Sequence, residues 1–316
     1  MTIALIILAT VILLCFAVGG YLFFAACGKH KEIHWLDEAE ISRTPYAPFY
    51  PHVKASYEWL AAHDAQDLYI KSFDGTRLHA TWVPQENARG TVILVHGYHS
   101  CIYTDFGLAV EPYHAMGMNI LLPDQRCHGK SGGRFTTFGV KESKDMLCWI
   151  DHHNANFGPL PMMLSGLSMG AATVMFMADE NLPENVKYCI ADCGFTSPKE
   201  IIAKVFRDVI HLPAWPVMWA ADLFARIFAG FSLDEKNTVR SLKQNKLPIL
   251  FVHGLADDFV PCDMTHRSFE ACAGEKHLLL VEGAGHGVSY IHAKDQYNEM
   301  NLTMIDRLFP KRKEEL

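Results

Sequence analysis

At 316 residues the chain can bury a large core, either as one α/β domain with an elaboration or as two compact units. Its formal net charge of −7, with 20% charged residues, makes a polyanion such as nucleic acid a poor partner. The nine cysteines are odd in number and scattered, and none pairs at Cys-x-x-Cys spacing. That distribution fits free thiols in a reducing compartment rather than a disulfide framework.

From Thr2 to Gly28 no side chain is charged, and Ile3 to Ala26 is almost wholly apolar. A helix of that length crosses a hydrocarbon core of roughly 30 Å with tilt to spare. A cleavable signal peptide would carry basic residues before a shorter apolar run, so residues 1–28 are expected to be a retained transmembrane anchor. Lys29 and Lys31 follow it, with Glu32 beside them, and only the amino terminus precedes it. By the positive-inside rule the rest of the chain is then expected on the cytoplasmic rather than the extracellular side. Residues 29–64 read as a linker and an N-terminal helix, irregular from Trp35 to Pro51 and helical from Val53 to Ala62.

Two β-like runs, Leu68 to Phe73 and Arg77 to Pro84, flank Asp74-Gly75, a strong hairpin signal. Strands and helices then alternate. Strands are expected at Thr91 to His96, Met118 to Leu122, Met162 to Gly166, Lys187 to Ala191, Ile249 to His253 and His277 to Glu282. Such short, continuous apolar runs belong to parallel strands covered on both faces. The hairpin and the array together predict an α/β fold with an eight-stranded, mostly parallel sheet. The stretch from Ala191 to Pro248 is far longer than an ordinary α/β connection. It reads as helices with proline joints, Ile201 to Ile210 and Val217 to Phe228, and residues 196–247 are expected to form a cap on a domain spanning 65–316.

Gly166-Leu167-Ser168-Met169-Gly170 lies between an apolar strand and a small-residue helix, the context of a nucleophile elbow. A serine hydroxyl needs a base, usually histidine, oriented by a carboxylate. In the serine-first order of this kind of sheet, the acid follows a late strand and the histidine follows the last one. His253-Gly254-Leu255-Ala256-Asp257-Asp258 occupies the first place and Gly283-Ala284-Gly285-His286-Gly287 the second. Asp258 competes with Asp257, which has the better spacing to Val260-Pro261. The amides of Met169 and of Tyr98, in the turn after the first parallel strand, are the expected oxyanion donors.

With these motifs in place, the chain resembles the α/β-hydrolase superfamily, in its serine aminopeptidase S33-like or monoacylglycerol-lipase-like branch. The matching pieces are Leu94 to Tyr98, Pro123 to Ser131, Gly166 to Gly170, His253 to Pro261 and Gly283 to Gly287. The resemblance implies the α/β-hydrolase fold with helices on both faces and a helical cap. It also implies Ser168 as nucleophile, Asp257 as orienting acid and His286 as general base. One departure is Cys127, where the family loop generally carries glycine.

Other residues have plainer expected roles. His96 packs at its turn, and Arg126 and His128 hydrogen-bond their own loop. Asp222 and Arg226 pair at i, i+4 spacing. The 17 histidines form no His-Glu-x-x-His and no tight Cys/His cluster, so neither a metal nor a cofactor is expected. Tyr98, Trp215, Trp219 and Phe224 are candidates to line an apolar substrate pocket. The expected activity is acyl transfer from carboxylic esters with small to medium apolar acyl groups, near membrane lipid. One alternative is an aminopeptidase or amidase using the same triad, with Glu200 or Asp208 binding the substrate amine. Another is a catalytically silent ligand-binding member. Sequence alone leaves the oligomeric state open.

Overall fold

The computed structural model describes residues 1–29, 34–43 and 47–310. Lys31, Glu32 and the charged stretch Lys311 to Glu315, which reads in sequence as a solvated tail, fall outside these. Among the described residues, eight strands form one sheet: β1 (Gln66–Lys71), β2 (Arg77–Val83), β3 (Gly90–Val95), β4 (Met118–Asp124), β5 (Met162–Leu167), β6 (Val186–Asp192), β7 (Ile249–Gly254) and β8 (Lys276–Val281). Their order is β1-β2-β4-β3-β5-β6-β7-β8. β2 runs antiparallel to both β1 and β4, and every other pairing is parallel. The β1–β2 turn closes at Gly75, whose φ of 83° suits glycine, with the Ser72 N–H donating to the Thr76 carbonyl at 2.8 Å.

Alternation along the strands divides the core into two layers. On β3, Val92 and Leu94 join Phe106, Val110, Tyr113 and Ile305 on one face. Ile93 and Val95 join Met146, Trp149, Leu164 and Met175 on the other. Each such side chain contributes about 1.5–3 kcal/mol on burial. The polar candidate site residues gather where strands end, beyond these two dry layers.

The segment between β6 and β7 folds into helices Pro198–Ile210 and Trp215–Phe224, a π-turn at Ala225–Ala229 and a short helix Thr238–Ser241. Ser197 starts the first of these by accepting the Glu200 N–H at 3.2 Å, with Pro198 in the first turn, where its missing donor costs nothing. Asp222 and Arg226 pair at 2.7 Å as their spacing requires.

The N-terminal helix, α1, spans Thr2–Cys27. Residues 1–14 are exposed, whereas Gly19, Gly20, Phe23 and Cys27 are buried. α1 packs along helix Trp215–Phe224, and a third core cluster unites Phe23 and Cys27 with Met169, Phe176, Phe206, Val217 and Ala221. The stretch expected to be irregular from Trp35 to Pro51 is partly helical. Asp37 caps a turn at Glu38–Ile41 by accepting the amides of Ala39 and Glu40, and a longer helix begins at Tyr50. All nine cysteines are free.

Candidate active site

β5 runs directly into Ser168, which takes φ 55° and ψ −112°. Such a conformation costs a residue with a side chain roughly 1–3 kcal/mol. The flanking glycines make the turn sterically possible. A Cβ on Gly170 would lie 1.8 Å from the Val95 carbonyl oxygen, and one on Gly166 would lie 2.2 Å from that of Gly170. Helix Met169–Phe176 follows, and among the described residues no side chain caps the donors at its positive end.

His286, in the loop after β8, places Nε2 2.9 Å from the Ser168 hydroxyl oxygen and Nδ1 2.7 Å from Oδ2 of Asp257. The carboxylate partner assigns the proton to Nδ1 and leaves Nε2 free to accept from the serine. Asp257, after β7, has a fully buried side chain, and its Oδ1 accepts the Val260 and Phe259 amides at 2.8 and 3.0 Å. Burial alone would raise its pKa. Hydrogen bonds from His253 and His286, with the Val260 amide, outweigh that and hold it well below the ordinary carboxylate range. Asp258, its competitor in sequence, is exposed, and its carbonyl accepts from the Lys204 ammonium.

Tyr98 follows β3 and lines a cavity of about 120 Å³ with Ser168, His286, Leu167, Val288 and Ile291. The N-terminal segment closes one side of it through Phe49. Asp105 fixes the turn, accepting the Gly97 N–H at 2.6 Å and the Thr104 hydroxyl at 3.1 Å while also holding Ser100. Burial raises the Asp105 carboxyl above its usual range. A larger cavity of about 650 Å³, lined by Tyr57, His79, His128 and Lys130 among others, shares only Ser100 with the first.

The other three pocket candidates lie elsewhere. Trp215 and Trp219 are 78% and 64% exposed. The Phe224 ring stacks with Phe228 and meets Phe23 and Phe24 of α1. The physical reason is that this helix turns its aromatic face toward α1 and outward, not toward Ser168.

The remaining polar residues hold loops. Buried His96 accepts the Gln125 N–H at Nε2 (3.0 Å) and donates from Nδ1 to the Gly97 carbonyl (2.8 Å), with its pKa pushed down by burial. Arg126 forks onto Asp145 and reaches Asp74. His128 accepts the His99 N–H at 3.1 Å and so braces the Tyr98 turn. Cys127 adopts the left-handed conformation, φ 69°, that glycine would take without strain. Cys193 places its sulfur within 4.8 Å of ligand atoms on Asp257 and His286, and burial pushes its thiol well up, leaving it neutral. Glu200 pairs with Arg267 at 2.7 Å and Asp208 with Lys204 at 2.6 Å, and neither lines the Ser168 cavity.

Residues 86–237 match the model of the family described as serine aminopeptidase, S33. Uncharacterized protein YqkD of Bacillus subtilis (strain 168) is 27% identical over 245 residues, covering 76% of this chain and 78% of the relative. The Arabidopsis thaliana α/β hydrolase domain-containing protein WAV2 is 22% identical over 280 residues, 85% of this chain and 89% of its own. Among solved structures, the Pyrococcus furiosus esterase Pf2001 superposes with a TM-score of 0.62 at 22% identity, covering 79% of this chain and 94% of that one. The chain has the α/β-hydrolase fold.

Within this fold, the family match takes in the Tyr98 turn and the elbow but stops short of Asp257 and His286. Those two meet Ser168 only in the folded chain. Sequence reasoning missed Asp105, Asp192 and His253 around the site. His253 stood in the quoted motif, one turn before Asp257, and that adjacency was the one available signal.

Proposed function

We propose that this protein is a serine hydrolase of the α/β-hydrolase family that cleaves carboxylic esters with small to medium apolar acyl groups while held in a membrane by α1. The observation that carries the reading is the unbroken hydrogen-bonded chain from Ser168 through His286 to Asp257, at 2.9 and 2.7 Å. In the proposed cycle His286 Nε2 takes the hydroxyl proton as Ser168 attacks the ester carbonyl, and Asp257 stabilises the imidazolium. The amides of Tyr98 and Met169 hold the oxyanion, each such donor being worth roughly 2.7–4 kcal/mol. His286 returns the proton to the departing alcohol. Water then attacks the acyl-enzyme with His286 again as base, releasing the acid.

Ester substrates are favoured over amines by the lining of the small cavity. Its one acid, Asp105, is engaged by Gly97, Ser100 and Thr104, while Glu200 and Asp208 are paired with cations elsewhere. The S33 family match keeps aminopeptidase or amidase activity as the second reading. For attachment, α1 is 26 residues long, carries no charge and is long enough to cross a bilayer. Lys29 at its end supports a cytoplasmic catalytic domain.

The test is fluorophosphonate labelling of the full-length protein beside Ser168→Ala, followed by parallel acyl-ester and aminoacyl-amide assays. Labelling of the parent alone, with ester turnover, is expected. Equal labelling of the variant would remove Ser168 from the mechanism, and turnover of amides alone would transfer the reading to the second one. A reporter active on one side of the membrane, fused to the carboxyl terminus, tests the orientation.

A further inference from the structure

A tether needs only an apolar surface, and residues 1–14 of α1 are exposed along their whole length. The other half of the helix is built differently. Phe23 and Cys27 are 2% and 1% exposed, in the core cluster that contains Met169. A Cβ on Gly19 would lie 2.5 Å from the Ala220 Cβ and 2.9 Å from the Val217 carbonyl oxygen. Contact that close requires small residues on both helices.

The last carbonyls of any helix lack partners within it. Here the catalytic loops supply them. The Tyr98 hydroxyl donates to the Ala26 carbonyl at 2.7 Å, and the Thr136 N–H donates to the Cys27 carbonyl at 2.8 Å. Gly28 and Phe135 form an antiparallel bridge beside them. The Thr136 hydroxyl in turn lies 3.5 Å from the sulfur of Met169. Tyr98 directly, and Met169 through Thr136, are thus fastened to one helical turn. These are the two residues whose amides are proposed to hold the oxyanion.

We infer that the carboxyl-terminal half of α1 is a positioning element of the active site, setting the two oxyanion donors through the Tyr98 hydroxyl and Thr136. The inference rests on the serine hydrolase reading above. It makes α1 more than an interchangeable anchor, because a helix of equal apolarity that cannot close on Ala220 would hold the protein in the membrane and still leave the donors unset. It also means that removing residues 1–28 disturbs the site itself.

The experiment uses the full-length protein in detergent micelles, with kcat, KM and fluorophosphonate labelling rate measured for four variants. Replacing residues 2–14 by an unrelated leucine-alanine sequence is expected to change nothing. Tyr98→Phe keeps the ring and removes the hydroxyl, and should lower kcat and labelling roughly fivefold to tenfold, the worth of one hydrogen bond, with KM little altered. Gly19→Leu should lower kcat at least as far while membrane attachment persists. In the Gly19→Leu background, Tyr98→Phe should cost little more, since the fastening is already released. Unchanged kcat in both single variants, or fully additive losses, would overturn the inference while leaving the serine mechanism standing. A parent protein that fails to label at Ser168 would overturn both.

Discussion

The imidazole of His253 stands 3.2 Å from the same Asp257 carboxylate oxygen that His286 holds at 2.7 Å. Nε2 of His253 also faces the Val260 carbonyl at 2.9 Å, and its Nδ1 is 2.7 Å from the Thr265 hydroxyl. This pattern assigns a proton to Nε2, so His253 donates toward Asp257 while Thr265 donates to Nδ1. Asp257 therefore receives donors on both oxygens, which fixes the face it presents to His286.

Removing His253 tests that arrangement. His253→Ala should lower kcat roughly tenfold to a hundredfold, the value of a hydrogen bond to a charged group, with KM little changed. Because the Asp257 pKa is depressed, its stabilising contribution is complete above the unfolded carboxylate value of about 3.9 and is lost as pH falls through the lower folded value. The variant, with one donor fewer, should unfold at a higher pH on the acid side. Thermal unfolding followed from pH 5 downward reads this directly, and coincident acid limbs would mean that His253 does not stabilise the carboxylate.

Arg126 is buried and forks onto Asp145 with Nε and Nη2 both at 2.7 Å, while Nη1 reaches Asp74 at 2.9 Å. Burial would lower its pKa, but the two carboxylates hold the guanidinium charged, above even its ordinary range. Arg126→Met should cost about 3–5 kcal/mol, because Asp145 is left as a buried, unpaired charge. Arg126→Met with Asp145→Leu should recover most of that loss. Unfolding midpoints of the two variants give the comparison. Equal losses would show that the cost lies in loop packing and not in the stranded carboxylate.

The strands were legible because parallel strands buried on both faces are short apolar runs, and each observed strand falls within a few residues of its expected place. Ser168, Asp257 and His286 were legible for a related reason, since each sits at a strand's end in a glycine-marked turn. Trp215, Trp219 and Phe224 were not placed correctly from sequence. Their helix is apolar nearly all round, so no hydrophobic stripe says which face meets Ser168 and which meets α1. The fastening of α1 was also hidden, because Ala26 and Cys27 act through backbone carbonyls that any residue could offer. Asp105 and Asp192 come from elements that carry no motif, and their part in the site depends on tertiary contact alone.

Asp192 ends β6, and its carbonyl accepts the Ser168 N–H at 2.8 Å. Its side chain is buried, with Oδ1 unpartnered among the described residues. Burial pushes its carboxyl up to about 6, against the attraction of His253 and His286. A folded pKa above the unfolded value of about 3.9 means that the native state binds the proton more tightly. The resulting stability is complete below pH 4 and is lost as pH rises through about 6, a change of roughly 3 kcal/mol. Asn resembles the protonated acid and does not titrate. Asp192→Asn should therefore match the parent below pH 4, exceed it by up to about 3 kcal/mol above pH 7, and lack the parent's Asp192-linked loss between. The same substitution removes a negative charge near His286, so kcat should fall severalfold at neutral pH, where imidazolium formation needs support. Thermal unfolding across pH 4 to 8, beside kcat at each pH, checks both parts. Parallel stability profiles for parent and variant would mean that Asp192 is ionised in the native state throughout.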